Sequence, residues 1–525
     1  MIKKKDVLLG DLEKALVEVR LSNKEAAQTA VFGVSQDSRT VSKGDLFVAR
    51  AGERSDGTKF IAQAKDRGAV AVLVESNAAT SIAASIEGLP VLTADDLART
   101  IGPVAHRVYG HPTRALDVIG ITGTNGKTTT TYLVRAAIDA ALGREVTGII
   151  GTVGHSYRDV AFDAAHTTPE ADTLARLFRT MKDEGASFVA MEVSSIALAK
   201  ERTRGIEFSV AAFTNLTQDH LDFHGTMEAY EAEKTRLFVE YVPRHSVIHT
   251  GDPAGSRIAA LLEKRGKNVI RVSAKNDPTN DIFIRAASFS EKGIVASIAT
   301  KQGEAFELRS PLTGLHNLEN LVVTLGIVRA LGLDMAKALE GLSTTNGAPG
   351  RLERVTVPGA DVTVLVDYAH TPDALERVLA SARPFTKGRL FCVFGCGGDR
   401  DPTKREPMGR AAAAGSDIAI VTSDNPRSED PLAIVAVVAG AVHGSGRKPI
   451  HPGDAMNAEN GYLVIPDRRE AIEIAIASAN PGDLVLVAGK GHETYQIMGD
   501  EKLHFDDREE ARNALQKRHE TKSTA

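Results

Sequence analysis

The sequence predicts an α/β chain of three domains, and three observations carry that expectation. Short apolar runs alternate with stretches of helical spacing along most of the chain. Many of these runs end in a cluster of glycine and polar residues, as parallel strands do at the sheet edge that carries ligands. The length, 525 residues, exceeds what one hydrophobic core can organise. The expected division is a small α/β domain over 1–110, a central P-loop domain with a parallel sheet over 111–346, and a doubly wound, Rossmann-like domain over 347–525.

The first domain contains the run Asp45-Leu-Phe-Val-Ala49, a helical stretch from Lys59 to Arg67, and the run Ala69-Val-Ala-Val-Leu-Val74. Glycines at 44, 52, 57 and 68 punctuate it. Its polar cluster Gln36-Asp37-Ser38-Arg39 has the composition of a turn cap, and on its own residues that is the favoured reading.

The central domain is built around Val118-Ile-Gly-Ile-Thr-Gly-Thr-Asn-Gly-Lys127-Thr-Thr-Thr-Thr131. An apolar strand, a glycine loop and a helix in that order make a phosphate cradle. The glycines let backbone N–H groups converge on phosphate oxygens. Lys127 can reach the outer phosphates, and the Thr128 hydroxyl can take Mg²⁺. The match to Gly-x-x-x-x-Gly-Lys-Thr is imperfect, with Gly120 before the loop and Gly123 inside it. A plain tight turn, however, would need neither the lysine nor the hydroxyls. Downstream, Ser187-Phe-Val-Ala-Met191 ends in Glu192-Val-Ser194-Ser195, and Val210-Ala-Ala-Phe213 ends in Thr-Asn215-Leu-Thr-Gln-Asp219-His220. An acid after a strand, opposite a phosphate loop, is where a nucleotide's metal is usually held, so Glu192 is the expected metal residue. His220 sits in a dense polar run, Asp219-His-Leu-Asp222-Phe-His224. Spacing alone puts Lys234 on the solvated face of a helix from Met227 to Val239. Gly314-Leu-His-Asn317-Leu-Glu-Asn320 opens a further helix.

The third domain follows the linker Asn346-Gly-Ala-Pro-Gly-Arg351. Four apolar runs end in Asp367-Tyr-Ala-His370, in Gly395-Cys-Gly-Gly-Asp399-Arg400, in Asp424-Asn425-Pro426-Arg427 and in Gly489-Lys-Gly-His-Glu493. That repetition predicts a doubly wound sheet with one edge that bears ligands.

Charged residues make up 25% of the chain and the net charge is −5, which gives no reason to expect a nucleic-acid partner. Two cysteines, Cys392 and Cys396, are too few for a disulfide framework, and their apolar setting reads as a buried strand. No run is long enough to span a membrane, and the start lacks a signal-peptide core, so cytoplasm is the expected location. Nothing in the sequence sets the oligomeric state.

Together these motifs resemble the Mur ligase family, over about residues 33 to 510. The resemblance rests on Asp37-Ser-Arg39 with Lys43-Gly-Asp-Leu-Phe-Val48, Gly123-Thr-Asn-Gly-Lys-Thr-Thr129, His166-Thr-Thr-Pro169, Glu192-Val-Ser-Ser195, Asp219-His-Leu-Asp222, Asp367-Tyr-Ala-His370, Asp424-Asn-Pro-Arg427 and Gly489-Lys-Gly-His-Glu493. It implies an ATP-dependent amide ligase of peptidoglycan synthesis, with UDP-N-acetylmuramoyl-L-alanyl-D-glutamate as acceptor and an acyl phosphate as intermediate. By position, Gly123, Thr124, Asn125, Gly126, Lys127, Thr128 and Thr129 would hold the ATP phosphates, with Asn317, Arg351, Asp367 and His370 completing the ATP site. Lys127, Glu192, His220 and Lys234 would be the catalytic set. Thr128, Glu192, His220 and Lys234 match metal-site positions, and Lys234 matches a lysine that is carboxylated to supply an oxygen ligand for Mg²⁺. Gln36, Ser38, Glu53, Arg54 and Ser55 would line the uridine end of the acceptor site. His166, Thr167, Thr168, Ser194, Lys200 and Arg202 would face the muramoyl-dipeptide. The chain departs from the family pattern at Ile196, where histidine often follows Glu-Val-Ser-Ser, and at Lys200, where some members have glutamine.

The amino acid expected is meso-diaminopimelate. Unlike L-lysine it has a second carboxylate, which a fixed arginine can bind through two parallel hydrogen bonds. Arg427 follows a strand and a rigid proline, and Arg400 lies on the neighbouring strand end. Asp424 and Glu493 can meet an ammonium group, with Asn425, Pro426 and Gly489 completing the site. The competing reading pairs Arg427 with Glu429 or Asp430 on the surface. Other readings of the chain are the same ligase using L-lysine, a ligase like folylpolyglutamate synthetase, and a nucleotide-binding module without turnover.

Overall fold

The structure is a computed structural model, and it describes residues 7–50, 56–78, 88–162, 164, 166–290 and 292–524. The chain forms two compact units. The first comprises Met1–Ser273, Pro278–Ile282 and Val322–Ala338; the second comprises Ala274–Asp277, Phe283–Leu321 and Leu339–Ala525.

The first unit contains two larger sheets besides the antiparallel pair Val7–Leu8 and Ala30–Val31. One has five strands in the order Arg20–Leu21, Val91–Ala94, Ala71–Glu75, Asp45–Val48, Gly33–Ser35. The last four are parallel, and Arg20–Leu21 joins the edge antiparallel. The other sheet is the one that carries the glycine loop. Its parallel strands run in the order Thr147–Gly151, Phe188–Glu192, Asp117–Thr122, Phe208–Phe213, His245–His249, Val269–Ser273. Asp117–Thr122 lies in the middle and is buried on both faces, which is why it reads as a continuous apolar run. Gly120 is required there, because a Cβ would meet the Phe208 ring at 2.6 Å. The helix Lys127–Leu142 follows the glycine loop and buries Leu133, Val134, Ala137 and Ile138.

The second unit holds a six-stranded sheet in the order Glu353–Val355, Thr363–Asp367, Leu484–Ala488, Leu390–Phe394, Ile418–Val421, Gly461–Val464. All its strands are parallel except the edge strand Glu353–Val355. Successive side chains point to opposite faces, and two separate cores result. Leu390, Cys392 and Phe394 pack with Leu375, Met408 and Val435 of the helices on one side. Phe391 and Val393 pack with Ile472, Ala475, Ala511 and Leu515 on the other. Helices on both faces make this the doubly wound sheet expected from the four apolar runs. Both cysteines are buried and free, as their setting suggested. Among the described residues, no helix is long and apolar enough to cross a membrane.

Candidate functional site

The glycine loop leaves the strand at Thr122 and closes over the end of the neighbouring strand Phe208–Phe213. Gly123 has φ +152° and Gly126 has φ +84°, both conformations that favour glycine. A Cβ on Gly123 would stand 1.9 Å from Thr214 Oγ1. The loop is tied down by Thr124 N–H to Asn215 O at 2.8 Å, Asn125 N–H to Asn215 Oδ1 at 2.9 Å, and Thr214 Oγ1–H to Asn125 O at 2.7 Å. Lys127 donates from Nζ to the carbonyls of Gly123 and Thr124, each at 2.8 Å.

Thr128 lies in the first turn of the helix and donates from Oγ1 to Glu192 Oε2 at 3.0 Å. Glu192 is buried, and its Oε1 also accepts the Thr152 amide at 2.7 Å. The pair therefore brings a hydroxyl and a carboxylate together behind the loop, as the sequence suggested.

Lys234 is where the structure corrects the reading from spacing. Its helix, Met227–Val239, has no clear apolar face, yet Lys234 is only 1% exposed. Its Nζ donates to Gly123 O at 2.9 Å and lies 4.3 Å from the centre of the Tyr230 ring. Burial pushes its amine well below the usual lysine range, the neighbouring Lys127 adds to that, and Asp219 opposes it. Tyr230 is itself fixed by a 3.3 Å hydrogen bond to Thr124 Oγ1, and burial raises its phenol to about 12. His220 is less engaged. It is half exposed at φ +51°, with Nε2 3.6 Å from Asp219 Oδ2 and its ring edge-on to Tyr230. His224, which the sequence did not single out, stacks on Tyr230 and hydrogen-bonds through Nε2 to Ser195 Oγ at 2.9 Å.

Most of the residues expected to face the dipeptide gather beside Glu192. Thr168 Oγ1 donates to the Glu192 carbonyl at 2.9 Å and accepts the Ser194 amide at 3.1 Å. Arg202 donates to the Thr168 carbonyl and pairs with Glu170. Thr167 shares a 3.0 Å hydrogen bond with Thr152, the residue that also binds Glu192. His166 is held below its ordinary pKa by burial first and by Arg202 next. Lys200 lies over the Phe223 ring. The first sheet behaves differently. Gln36 donates from Nε2 to Asp172 Oδ1 at 2.7 Å, and Ser38 donates to Gln63 Oε1 at 2.7 Å. Both side chains are therefore engaged inside the protein. Glu53, Arg54 and Ser55 lie outside the described residues.

In the second unit, Asp367 ends its strand and accepts the Leu352 amide at 2.7 Å and the Ala369 amide at 2.8 Å. Burial raises its pKa and Arg351 opposes the rise. Arg351 lies 4.8 Å over the Tyr368 ring, and His370 and His492 pack on the same ring at 4.6 and 4.9 Å. This flat aromatic and guanidinium surface was only half legible, since Tyr368 and His492 lay inside quoted motifs without being singled out. Asn317 is buried and donates to Thr313 O at 2.8 Å.

The strand ends at 394, 421 and 488 carry the remaining set. Arg427 has φ +53° and donates from Nη1 to Gly398 O at 2.8 Å. Among the described residues it forms no ion pair; Glu429 instead pairs with Arg405 at 2.8 Å. The surface-pair reading of Arg427 is thereby set aside. Arg400 is exposed on the loop after Leu390–Phe394. Asp424 is buried with Oδ1 lacking a hydrogen-bond partner. Asn425 donates from Nδ2 to Glu493 Oε2 at 2.9 Å, and burial raises the pKa of Glu493. Gly489 follows the strand Leu484–Ala488 at φ +119°. Lys490, wholly buried between these acids, was not singled out from the sequence.

Comparison with known proteins finds relatives that cover nearly the whole chain. The Mur ligase middle domain matches residues 121–328, the Mur ligase glutamate ligase domain residues 350–491, and the Mur ligase family catalytic domain residues 31–101. A UDP-N-acetylmuramoyl-L-alanyl-D-glutamate–2,6-diaminopimelate ligase of Gloeobacter violaceus is 43% identical over 508 residues, covering 97% of this chain and 98% of its own. The ligase of the same name from Streptomyces coelicolor is 43% identical and covers 93% of each chain. A solved structure of a ligase of that name is 31% identical with a TM-score of 0.69, covering 98% of this chain and all of its own. A folylpolyglutamate synthase of Mycobacterium tuberculosis, solved with ADP and AMPPCP, shares the fold at 20% identity and a TM-score of 0.56, over 74% of this chain. The chain belongs to the Mur ligase family.

Proposed function

We propose that the chain is an ATP-dependent ligase that joins an amine of meso-diaminopimelate to the D-glutamyl side-chain carboxylate of UDP-N-acetylmuramoyl-L-alanyl-D-glutamate, in cytoplasmic synthesis of the peptidoglycan precursor. The observation that carries the ligase reading is the Thr128–Glu192 pair behind a glycine loop whose Gly123 carbonyl also receives the buried Lys234 amine. The choice of substrates is supported by the names of the relatives and by Arg427, which forms no ion pair among the described residues and follows Asp424 on the same strand-end loop.

In this reading the loop amides of Gly123–Thr129 and the Lys127 ammonium cradle the ATP phosphates, with Lys127 turning on its flexible stem from the loop carbonyls. Asn317, Arg351, Asp367 and His370 serve the rest of ATP. Thr167, Thr168, Ser194, Lys200, Arg202 and His166 hold the dipeptide end of the acceptor, and positions 36, 38 and 53–55 its uridine end. Transfer of the γ-phosphoryl group to the D-glutamyl carboxylate gives an acyl phosphate. The amine attacks the acyl carbon, the C–O bond to phosphate breaks, and the amine loses a proton. No protein nucleophile is needed, because phosphoryl transfer depends chiefly on positioning and charge neutralisation.

Mg²⁺ fits the oxygen donors present, Thr128 and Glu192, because it binds through one or two protein oxygens together with phosphates and water. When bound it supplies positive charge to the transferred phosphoryl group. Among the described residues no three His, Cys, Asp or Glu side chains gather to hold a metal by themselves. Lys234 suits carboxylation. A neutral amine has the lone pair that attacks CO₂, forming an N–C bond with loss of a proton, and burial favours the neutral amine. His220 would join the metal set from its exposed loop.

Phosphate release measured with ATP, acceptor and amino acid, each omitted in turn, tests the ligase reading. Release that requires all three supports it. ATP binding without dependent release would leave a nucleotide-binding module instead.

A further inference from the structure

Lys490 has no part in the function just argued, yet it is among the most deeply buried cations in the chain. It stands between two glycines directly after the apolar strand Leu484–Ala488. Its Nζ donates to Asn425 Oδ1 at 3.1 Å. The same ammonium lies 3.7 Å from Asp424 Oδ1 and 3.5 Å from Glu493 Oε2.

Two consequences follow from this placement. Lysine can only donate, so Asn425 must turn its oxygen to Lys490 and its Nδ2 to Glu493. The same oxygen accepts the Ile497 amide at 3.0 Å. Ile497 in turn accepts the Arg427 amide at 3.1 Å, and Gly499 donates to the Arg427 carbonyl at 2.8 Å. Asn425 thus connects Lys490 to the hairpin Tyr495–Met498/Glu501–His504, which grips Arg427 in its left-handed backbone conformation. The second consequence is electrostatic. Asp424 is buried and Glu493 half-buried, and two such carboxylates gathered on one ammonium disfavour joint ionisation without it, which the cation reverses. Two acids and one ammonium leave an excess of one negative charge, and Asp424 Oδ1 has no hydrogen-bond partner.

We propose that Lys490 is a positioning residue for the incoming amino acid: its buried ammonium keeps Asp424 and Glu493 together as a carboxylate pair able to receive a substrate ammonium group, and fixes Asn425 so that the hairpin presents Arg427 to the adjoining carboxylate. The proposal rests on assigning these residues to the amino-acid substrate. The other groups acting on the pair are Arg468, which is matched by Asp507, together with Tyr368, His370, Cys396 and Tyr495. None of them puts a second unmatched cation between the acids.

The test is the ratio of the KM for meso-diaminopimelate in Lys490→Met to that in the unmutated full-length enzyme, followed from pH 7 to pH 8.5. Taking the ratio cancels the titration of the amino acid itself. Without the cation, one acid holds a proton at neutral pH and releases it as pH rises. The ratio should therefore be about tenfold or more at pH 7 and fall at least about threefold by pH 8.5. KM for ATP should stay within about twofold. In the double variant Lys490→Met/Glu493→Gln the remaining acid has no rival, and the pH dependence should vanish. A ratio near one, a ratio constant with pH, or an equal rise in KM for ATP would overturn the proposal. If Lys490→Met does not fold, Lys490→Gln, which keeps a donor for Asn425 and removes the charge, is read in the same way. If the unmutated enzyme uses a different amino acid, the substrate reading fails on its own, and the same ratio measured with that amino acid judges Lys490.

Discussion

Thr128 Oγ1 and Glu192 Oε2 meet at 3.0 Å behind the glycine loop, joining the first turn of one helix to the carboxyl end of the adjacent strand. This contact supplies the two protein oxygens that best suit a nucleotide's metal. Glu192 is also a structural acceptor, since it takes the Thr152 amide and hydroxyl. Glu192→Gln should lower kcat by about a hundredfold or more, by analogy with loss of a charge-stabilising group. Its structural cost should be about 1–3 kcal/mol, because one acceptor oxygen becomes an amide donor facing buried donors. Steady-state phosphate release and urea unfolding of the same samples separate the two effects.

Lys234 makes a prediction with a definite sign. Its amine is held below the ordinary lysine range in the folded chain by burial. Between the folded and unfolded pKa values the unfolded chain binds more protons, so this group makes stability rise with pH across that window. In CO₂-free buffer, Lys234→Met removes the effect. Its stability relative to the unmutated protein should be greatest at low pH and decline as pH rises toward the unfolded lysine value of about 10.4. Urea unfolding at several pH values checks this; an opposite trend would mean that the amine is solvated. Turnover by Lys234→Ala should be abolished, and a short carboxylic acid should restore part of it.

Arg427→Ala should raise KM for meso-diaminopimelate tens- to thousandfold, corresponding to about 2–5 kcal/mol for removal of a charge partner. KM for ATP should change little, since the hydrogen bonds of Arg427 among the described residues run to the Gly398 and Asn425 carbonyls and to the hairpin backbone. Initial rates with each substrate varied in turn provide the measurement.

Arg468 and Asp507 form an ion pair with both side chains fully buried, and Arg468 also donates to the Ala488 carbonyl just before Gly489. Breaking one side leaves an uncompensated buried charge, so Asp507→Asn should destabilise the chain by about 3–5 kcal/mol. Arg468→Met/Asp507→Leu together should cost less than either single change, because no orphan charge remains. Thermal or urea unfolding of the unmutated protein, Asp507→Asn, Arg468→Met and the double variant compares them.

What the sequence made legible was local. The glycine loop, Glu192 after its strand and the four clusters of the doubly wound sheet each declare themselves within a dozen residues. Lys234 did not, because its burial depends on Gly123, 111 positions away, and not on the pattern of its own helix. Gln36 is similar: its amide is taken by Asp172, 136 positions away, a partner that no local pattern announces. Lys490 was hidden for another reason. A lysine between glycines reads as a solvated loop residue until the strand behind it and the acids beside it are placed in space.

Mass analysis of the product tests amide-bond formation with meso-diaminopimelate directly. The enzyme is supplied with ATP, Mg²⁺, UDP-N-acetylmuramoyl-L-alanyl-D-glutamate and equal concentrations of meso-diaminopimelate and L-lysine. The expected result is a nucleotide product carrying diaminopimelate, formed in step with phosphate release. A product carrying lysine, or phosphate released with no amide product, would contradict it.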